Sequence, residues 1–313
     1  MLAMEDFDSG WREYEYGFQS GDRGPLTVTP APVWNGEPLE GKKIHVYGEQ
    51  GIGEQIMFGT MLADLQSAGA EIIYECEKRL VPIFKRSMPD VTAVAIRPGP
   101  DPLLMAPDVD FRIAAGSLGQ WFRPATESFH PRKKILQADP ELVQEYRKRY
   151  RQLGDGPVIG ISWKSSSPNH VKRKDIPIDL WGPILSVENC HFVSLQYGEV
   201  DEDIAAANRS FGADIFVDPD VSAINSLEQS IAQVSSVDLV ISISNATVHL
   251  SGACGIPTWV LLAKVPLWHW FLGREKSLWY DSVKLFRNPC HEDKSELIEN
   301  IAANLQAFAK KQG

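Results

Sequence analysis

The sequence predicts an α/β protein built on doubly wound parallel sheets, and three observations carry that expectation. Short β-branched runs alternate with segments of helical apolar period along most of the chain. The joints between them are rich in glycine, serine or asparagine, as in GEQGIG at 48–53 and ISISNAT at 241–247. The length of 313 residues exceeds what one core usually serves. Two domains of roughly 110 to 150 residues are therefore expected.

The clearest unit is DLVISISNATVHLSGACGIPTWVLL, residues 238–262. Residues 239–243 read as a buried strand, Ser244 and Asn245 as helix caps, and the apolar-periodic helix stops at Gly255 before a second strand at 258–262. This is a β-α-β unit whose turn lies at the carboxyl end of its first strand, where open α/β sheets form ligand crevices. The first-turn N–H groups of Ala246, Thr247 and Val248 lack partners within such a helix, and the helix dipole adds positive potential, so this end could hold a phosphate. An ordinary buried β-α-β unit has the same pattern.

Earlier in the chain, Phe7, Trp11, Tyr14 and Phe18 fall at helical spacing, and a Gly/Pro-rich stretch follows from 21 to 41. Residues 1–40 thus read as an N-terminal helical arm and linker. Its aromatic face needs a surface, either this protein's body or a preceding helical repeat. The first domain, 41–154, opens with a strand at 43–47. Gly48, Gly51 and Gly53 in the following turn allow close backbone approach and positive φ, and a helix over 54–68 begins at Glu54. The turn has neither the Lys-Ser/Thr ending of a P-loop nor a full GxGxxG. Glu54 is open to two readings, a helix-dipole partner or a general base at the cleft.

Strands at 71–76, 91–96 and 110–113 and a helix at 78–88 continue the alternation. The loop 115–120, AGSLGQ, has residues small enough for a ligand mouth. A helix at 139–153 ends at Gly154-Asp155-Gly156-Pro157, which sets the expected boundary.

The second domain, 155–290, starts with a strand at 158–163 that runs into a loop crowded with Lys164, Ser165, Lys172, Arg173 and Lys174. In an acidic chain this is a local positive site suited to a diphosphate, or else a solvated charged loop. Further strands at 191–196 and 214–217, with a crossover helix at 226–237, return the chain to 238–262. Three strand tips, at Lys164, Gln196-Tyr197 and Ser244, therefore end in polar loops, and their convergence favours the phosphate reading. Trp268, Trp270, Trp279 and Tyr280 read as core or interdomain packing rather than sugar stacking, and a last helix covers 294–310.

Composition excludes other classes. Lys and Arg number 31 against 41 Asp and Glu, a net charge of −10, which opposes a general nucleic-acid or acidic-membrane surface. The four cysteines are far apart with no CxxC pair, which fits neither a disulfide framework nor a zinc site. The acidic N-terminus is unlike a signal peptide, and the most apolar window, 256–272, is broken by Pro257, Lys264, Pro266 and His269. A cytoplasmic protein without a transmembrane segment is expected.

Taken in order, GWREYEYGF, GEQGIGEQIMF, GISWKSS with KxxP at Lys174 to Pro177, FVSLQYGE, VISISNATVHLSGACGIPTWVLL and WHWFLGREKSLWY resemble the bacterial glycosyltransferases that follow tetratricopeptide repeats. Those are similar to the heptosyltransferases of glycosyltransferase family 9 and, more distantly, to O-GlcNAc transferase. The resemblance covers almost the whole chain and rests on the combination and order of short motifs. It implies a GT-B fold, two Rossmann-like domains facing a cleft, with the acceptor on the first, the nucleotide-sugar on the second, and a C-terminal helix at 291–313 crossing back to the first.

The resemblance further implies a metal-independent, inverting glycosyltransferase with no cofactor, moving a hexosyl or heptosyl unit from a nucleotide-diphosphate sugar to a hydroxyl on glycan or protein. Lys174 occupies the position of the phosphate lysine, and Ser244, Asn245, Ala246, Thr247 and His249 that of the phosphate-binding helix start. Gln196 and Tyr197 would lie near the nucleoside, with Gly53, Trp163, Lys164 and Ser165 completing the site. Glu54 stands where the relatives have the catalytic Asp of GxGDE. Here that motif reads Gly51-Ile52-Gly53-Glu54-Gln55, and Ser244-Asn245 replace Asp-Thr. The alternatives are a nucleotide-sugar epimerase or an inactive nucleotide-sugar-binding scaffold.

Overall fold

The computed structural model describes residues 1–24, 28–130, 134–165, 174–222, 224–290 and 293–312. The chain divides into two units, one of Met1–Gln137 with Leu267–Leu272, the other of Ala138–Pro266 with Gly273–Gly313.

In the first unit, β1 (Lys43–Tyr47), β2 (Glu71–Cys76), β3 (Val91–Ala95) and β4 (Phe111–Ala114) pair in parallel in the order β3-β2-β1-β4. The central β1 is buried on both faces, as a strand covered by helices must be, with Ile44, His45 and Val46 inaccessible. Strand order reverses between β1 and β4, so the crevice of this unit lies between Tyr47 and Ala114.

The helix Phe7–Glu15 starts where the Asp6 carboxylate accepts from the Ser9 N–H, and it buries Phe7 and Trp11. The Trp11 indole donates to the Arg123 carbonyl at 2.8 Å and meets Trp268 edge-on, while Phe7 packs on Phe129 and Phe271. This helix is thus part of the first unit rather than an arm, and its aromatic face is covered by the protein's own body. The small residues of the loop after β4 serve the same contact. A Cβ on Gly119 would stand 2.4 Å from the Trp11 ring, and one on Gly116 would meet Glu49 and Tyr14. The loop expected to open a ligand mouth instead makes room for the helix.

In the second unit, six parallel strands follow: β5 (Val158–Ser162), β6 (His191–Ser194), β7 (Ile215–Phe216), β8 (Leu239–Ile243), β9 (Thr258–Leu262) and β10 (Val283–Arg287). Their order is β10-β9-β8-β5-β6-β7, the doubly wound dinucleotide-fold arrangement, with its reversal between β5 and β8. The edge strand β10 escaped the sequence reading because Lys284 and Arg287 break its apolar run, as charged residues on edge strands do.

Two boundaries differ from expectation. Helix Pro140–Tyr150 belongs to the second unit: Arg147 donates to the Ser235 carbonyl, and the Tyr150 hydroxyl donates at 2.8 Å to Asp218, which Arg149 also pairs. The last helix, Ser295–Gln312, also packs in the second unit, burying Leu297, Ile298, Ile301 and Leu305 with Trp181, Ile184 and Phe192. The segment that joins the first unit is Leu267–Leu272 instead, whose Trp268 and Phe271 supply the rings around Trp11 and Phe7. Among the described residues, no helix is long and apolar enough to cross a membrane.

Candidate active site

At the reversal point of the second unit, Asn245 ties the two diverging strands together. Its Oδ1 accepts from the Thr247 N–H and from the Ser242 hydroxyl, and its Nδ2 donates to Ser162 Oγ at 2.8 Å and to the Lys164 carbonyl. One side chain thus caps helix Ala246–Ala253 and fixes the tip of β5 beside it. The Val248 N–H bonds to the Asn245 carbonyl, so two of the three donors expected to be unpartnered are spent internally. What this helix start can offer an anion is its dipole more than a row of open N–H groups. Asn245→Ala should lower stability by about 1–2 kcal/mol in urea unfolding, the usual loss for a cap.

The KxxP segment folds back onto the same tip. The Ile176 N–H donates to the Trp163 carbonyl, and Asp175 Oδ1 accepts from the Ser165 N–H at 2.9 Å. Burial raises the Asp175 carboxyl above its ordinary value, opposed by that N–H and by Lys294, Lys164 and Lys174. Lys294, which the sequence reading placed only at a helix start, donates to the Asp175 carbonyl at 2.5 Å, and burial lowers its ammonium. Lys164 is committed elsewhere, since its ammonium bonds Asp203 and the Glu199 carbonyl, and the Trp163 indole shares that carboxylate. Ser166 to Arg173, including the expected Lys172 and Arg173, lie outside the described residues.

His249 is buried and pairs its Nδ1 with the Tyr280 hydroxyl at 3.0 Å. Burial, and then the nearby Lys174 charge, push it down to about 3, so its imidazole is neutral and supports the helix from inside. Ser244 and Thr247 are also buried, and Ala246 is half-buried.

Gln196 is a brace. Its Oε1 accepts from Ser162 Oγ and from the Trp163 and Lys164 N–H groups, and its Nε2 donates to the Lys164 and Tyr197 carbonyls. Beside it opens a cavity of about 170 Å³ lined by Gln196, Tyr197, Val217, Asp218, Ser222, Ile224 and Gln233 among others, at the carboxyl ends of β6 and β7. Sequence reasoning found Gln196 and Tyr197 but not the far wall, which comes from the loop after β7.

In the first unit, Glu54 sits in the first turn of helix Ile52–Gly59 with its carboxylate folded over Gly51, whose added Cβ would lie 2.9 Å from Glu54 Oε2. Gly53 is buried behind it. The left-handed residue of this turn is Gln50, at φ 60°, rather than any of the three glycines. Gln55 clamps the turn, donating to the Gln50 carbonyl and accepting from the Glu77 N–H at 2.8 Å. A glutamate there could not make the first of these bonds.

No family model matches the chain. Protein FlbA of Caulobacter vibrioides is 33% identical over 323 residues, covering 99% of this chain and 54% of that protein. The chain thus spans about half the length of this curated relative. Among solved structures, a glycosyl transferase of family 9 from Veillonella parvula aligns with a TM-score of 0.59 at 12% identity over 88% of this chain and 98% of that one. The E. coli ADP-heptose LPS heptosyltransferase II aligns at 0.58 and 13%, over 85% and 100%. The E. coli heptosyltransferase WaaC with ADP aligns at 0.53 and 14%, over 87% and 100%. At such identities the likeness is one of fold, and the chain shares the α/β parallel-sheet fold of the family 9 heptosyltransferases.

Proposed function

We propose that this chain is a glycosyltransferase that moves a sugar from a nucleotide-diphosphate donor to a hydroxyl on glycan or protein, without a metal ion and with inversion. Its two units would be the halves of a GT-B enzyme of the heptosyltransferase type. What supports this reading is the β5–β8 reversal point, where Asn245 ties a capped helix start to the β5 tip, the KxxP segment folds back onto that tip, and Gln196 braces it from beside a cavity at the ends of β6 and β7. The nucleoside would enter that cavity. The diphosphate would lie against the helix start and Lys174, whose charges stabilise it as it leaves.

In the reaction, the acceptor oxygen bonds to the anomeric carbon from the face opposite the diphosphate, and the carbon–oxygen bond to phosphate breaks. Glu54 takes the acceptor proton. Trp163 and Gln196 act by holding the β5 tip, and Lys164 by anchoring the loop through Asp203. The heptosyltransferase structures in the comparison include one with ADP, which supports a nucleotide donor here.

The test is incubation of the chain with UDP-, GDP-, ADP- and TDP-sugars, with and without a hydroxyl acceptor. Release of nucleoside diphosphate that an acceptor accelerates is the expected result. Conversion of one nucleotide-sugar into another without acceptor would make the protein an epimerase, and binding with neither reaction would make it a scaffold.

A further inference from the structure

The GWREYEYGF segment has no part in the chemistry just described, yet its Tyr14, Glu15 and Phe18 gather on Arg23, which is paired with Glu49 at the β1–β4 crevice of the first unit. Glu49, at the tip of β1, is buried and accepts from the Arg23 Nε at 2.6 Å, from Arg23 Nη2 and from the Gly116 N–H. Arg23 also pairs with Glu15, donates to Ser117 Oγ at 3.0 Å, and lies between the Tyr14 and Phe18 rings at 4.2 and 3.8 Å. The crevice that this strand order would leave for a ligand is thus filled by the chain's own N-terminal segment. The next residue, Gln50, carries the left-handed backbone, and its side-chain oxygen accepts from the Tyr14 hydroxyl at 3.3 Å. Four residues on is Glu54.

We propose that Tyr14 is a positioning residue: through Gln50 it holds the left-handed turn, with Arg23 and Glu49 as its base, and so sets where the Glu54 carboxylate stands. A left-handed non-glycine residue persists only when its surroundings over-determine it. Gln50 is held from two sides, its carbonyl by Gln55 and its side chain by Tyr14. Burial foremost, and then the negative charge of Glu49 with a smaller contribution from Glu54, raise the Tyr14 phenol above its ordinary value against the pull of Arg23. The hydroxyl therefore keeps its proton and donates throughout the working pH range. The helix Phe7–Glu15 thereby becomes a strut of the Glu54 turn. This inference rests on Glu54 being the general base.

The test uses the full chain with Tyr14→Phe, which keeps the ring over Gly116 and Arg23 and removes only the hydroxyl. Amide exchange over residues 48–54 should quicken several-fold while 239–262 stay unchanged. In the turnover assay with nucleotide-sugars, kcat should fall about tenfold with the donor KM unaltered, and Tyr14→Phe should add nothing in a Gln50→Ala background. Unchanged exchange over 48–54 overturns the proposal, whether or not turnover is found. So does an unchanged kcat when Glu54→Gln abolishes the reaction. If Glu54→Gln leaves turnover intact, the reading of Glu54 as base fails instead, and the exchange result still decides whether Tyr14 holds the turn.

Discussion

Glu54→Gln should lower kcat for transfer by about 10²–10⁴-fold, the usual worth of a positioned general base, and leave nucleotide affinity unchanged. The carboxamide has the shape of the carboxylate, so it fits over Gly51 in the same way. It cannot take the acceptor proton. The proposed contacts to the nucleoside and the diphosphate come from the second unit, whereas Glu54 belongs to the first, so the Kd for nucleoside diphosphate is the internal control. Single-turnover kinetics beside calorimetry measure both quantities. A loss of affinity equal to the loss of rate would mean that Glu54 binds rather than reacts.

Arg23→Met should destabilise the first unit by about 3–5 kcal/mol, the cost of leaving a buried partner charge uncompensated. The Arg23 and Glu49 side chains are 1% and 2% exposed. Removing the guanidinium also strips Glu15 and Ser117 of a donor and takes the cation from between two rings. The melting temperature should drop by on the order of 10 °C. Replacing both partners, Arg23→Met with Glu49→Leu, should recover much of that loss, because a well-packed apolar pair carries no desolvation penalty. A double variant as unstable as the sum of the single ones would show that the two residues do not act as a pair.

Local periodicity and punctuation made the sheets legible. The β8-turn-helix-β9 unit could be read from 238–262 because its cap, helix stop and second strand are neighbours in sequence. The return of the KxxP segment to the β5 tip could be read because that segment lies just beyond the strand. The rest depended on long-range pairing, which leaves no local period. Lys164 reads as a phosphate ligand until Asp203, 39 residues away, takes its charge. Gly116 and Gly119 read as a ligand mouth until Trp11 and Tyr14 fill the space above them. Gln50 holds the positive φ that three neighbouring glycines advertise, because Tyr14 and Gln55 grip it from elements the turn itself does not contain.

The central claim is that the second unit holds a nucleoside diphosphate at the junction of β5 and β8. Its most direct test is calorimetric titration of UDP, GDP, ADP, CMP and TDP into the intact chain and into Lys174→Ala. One diphosphate should bind, and its Kd should rise about tenfold or more in the variant, as the loss of a charge-assisted contact worth roughly 1.5–3 kcal/mol requires. Binding of none at millimolar concentration, or equal binding by both proteins, would contradict the account.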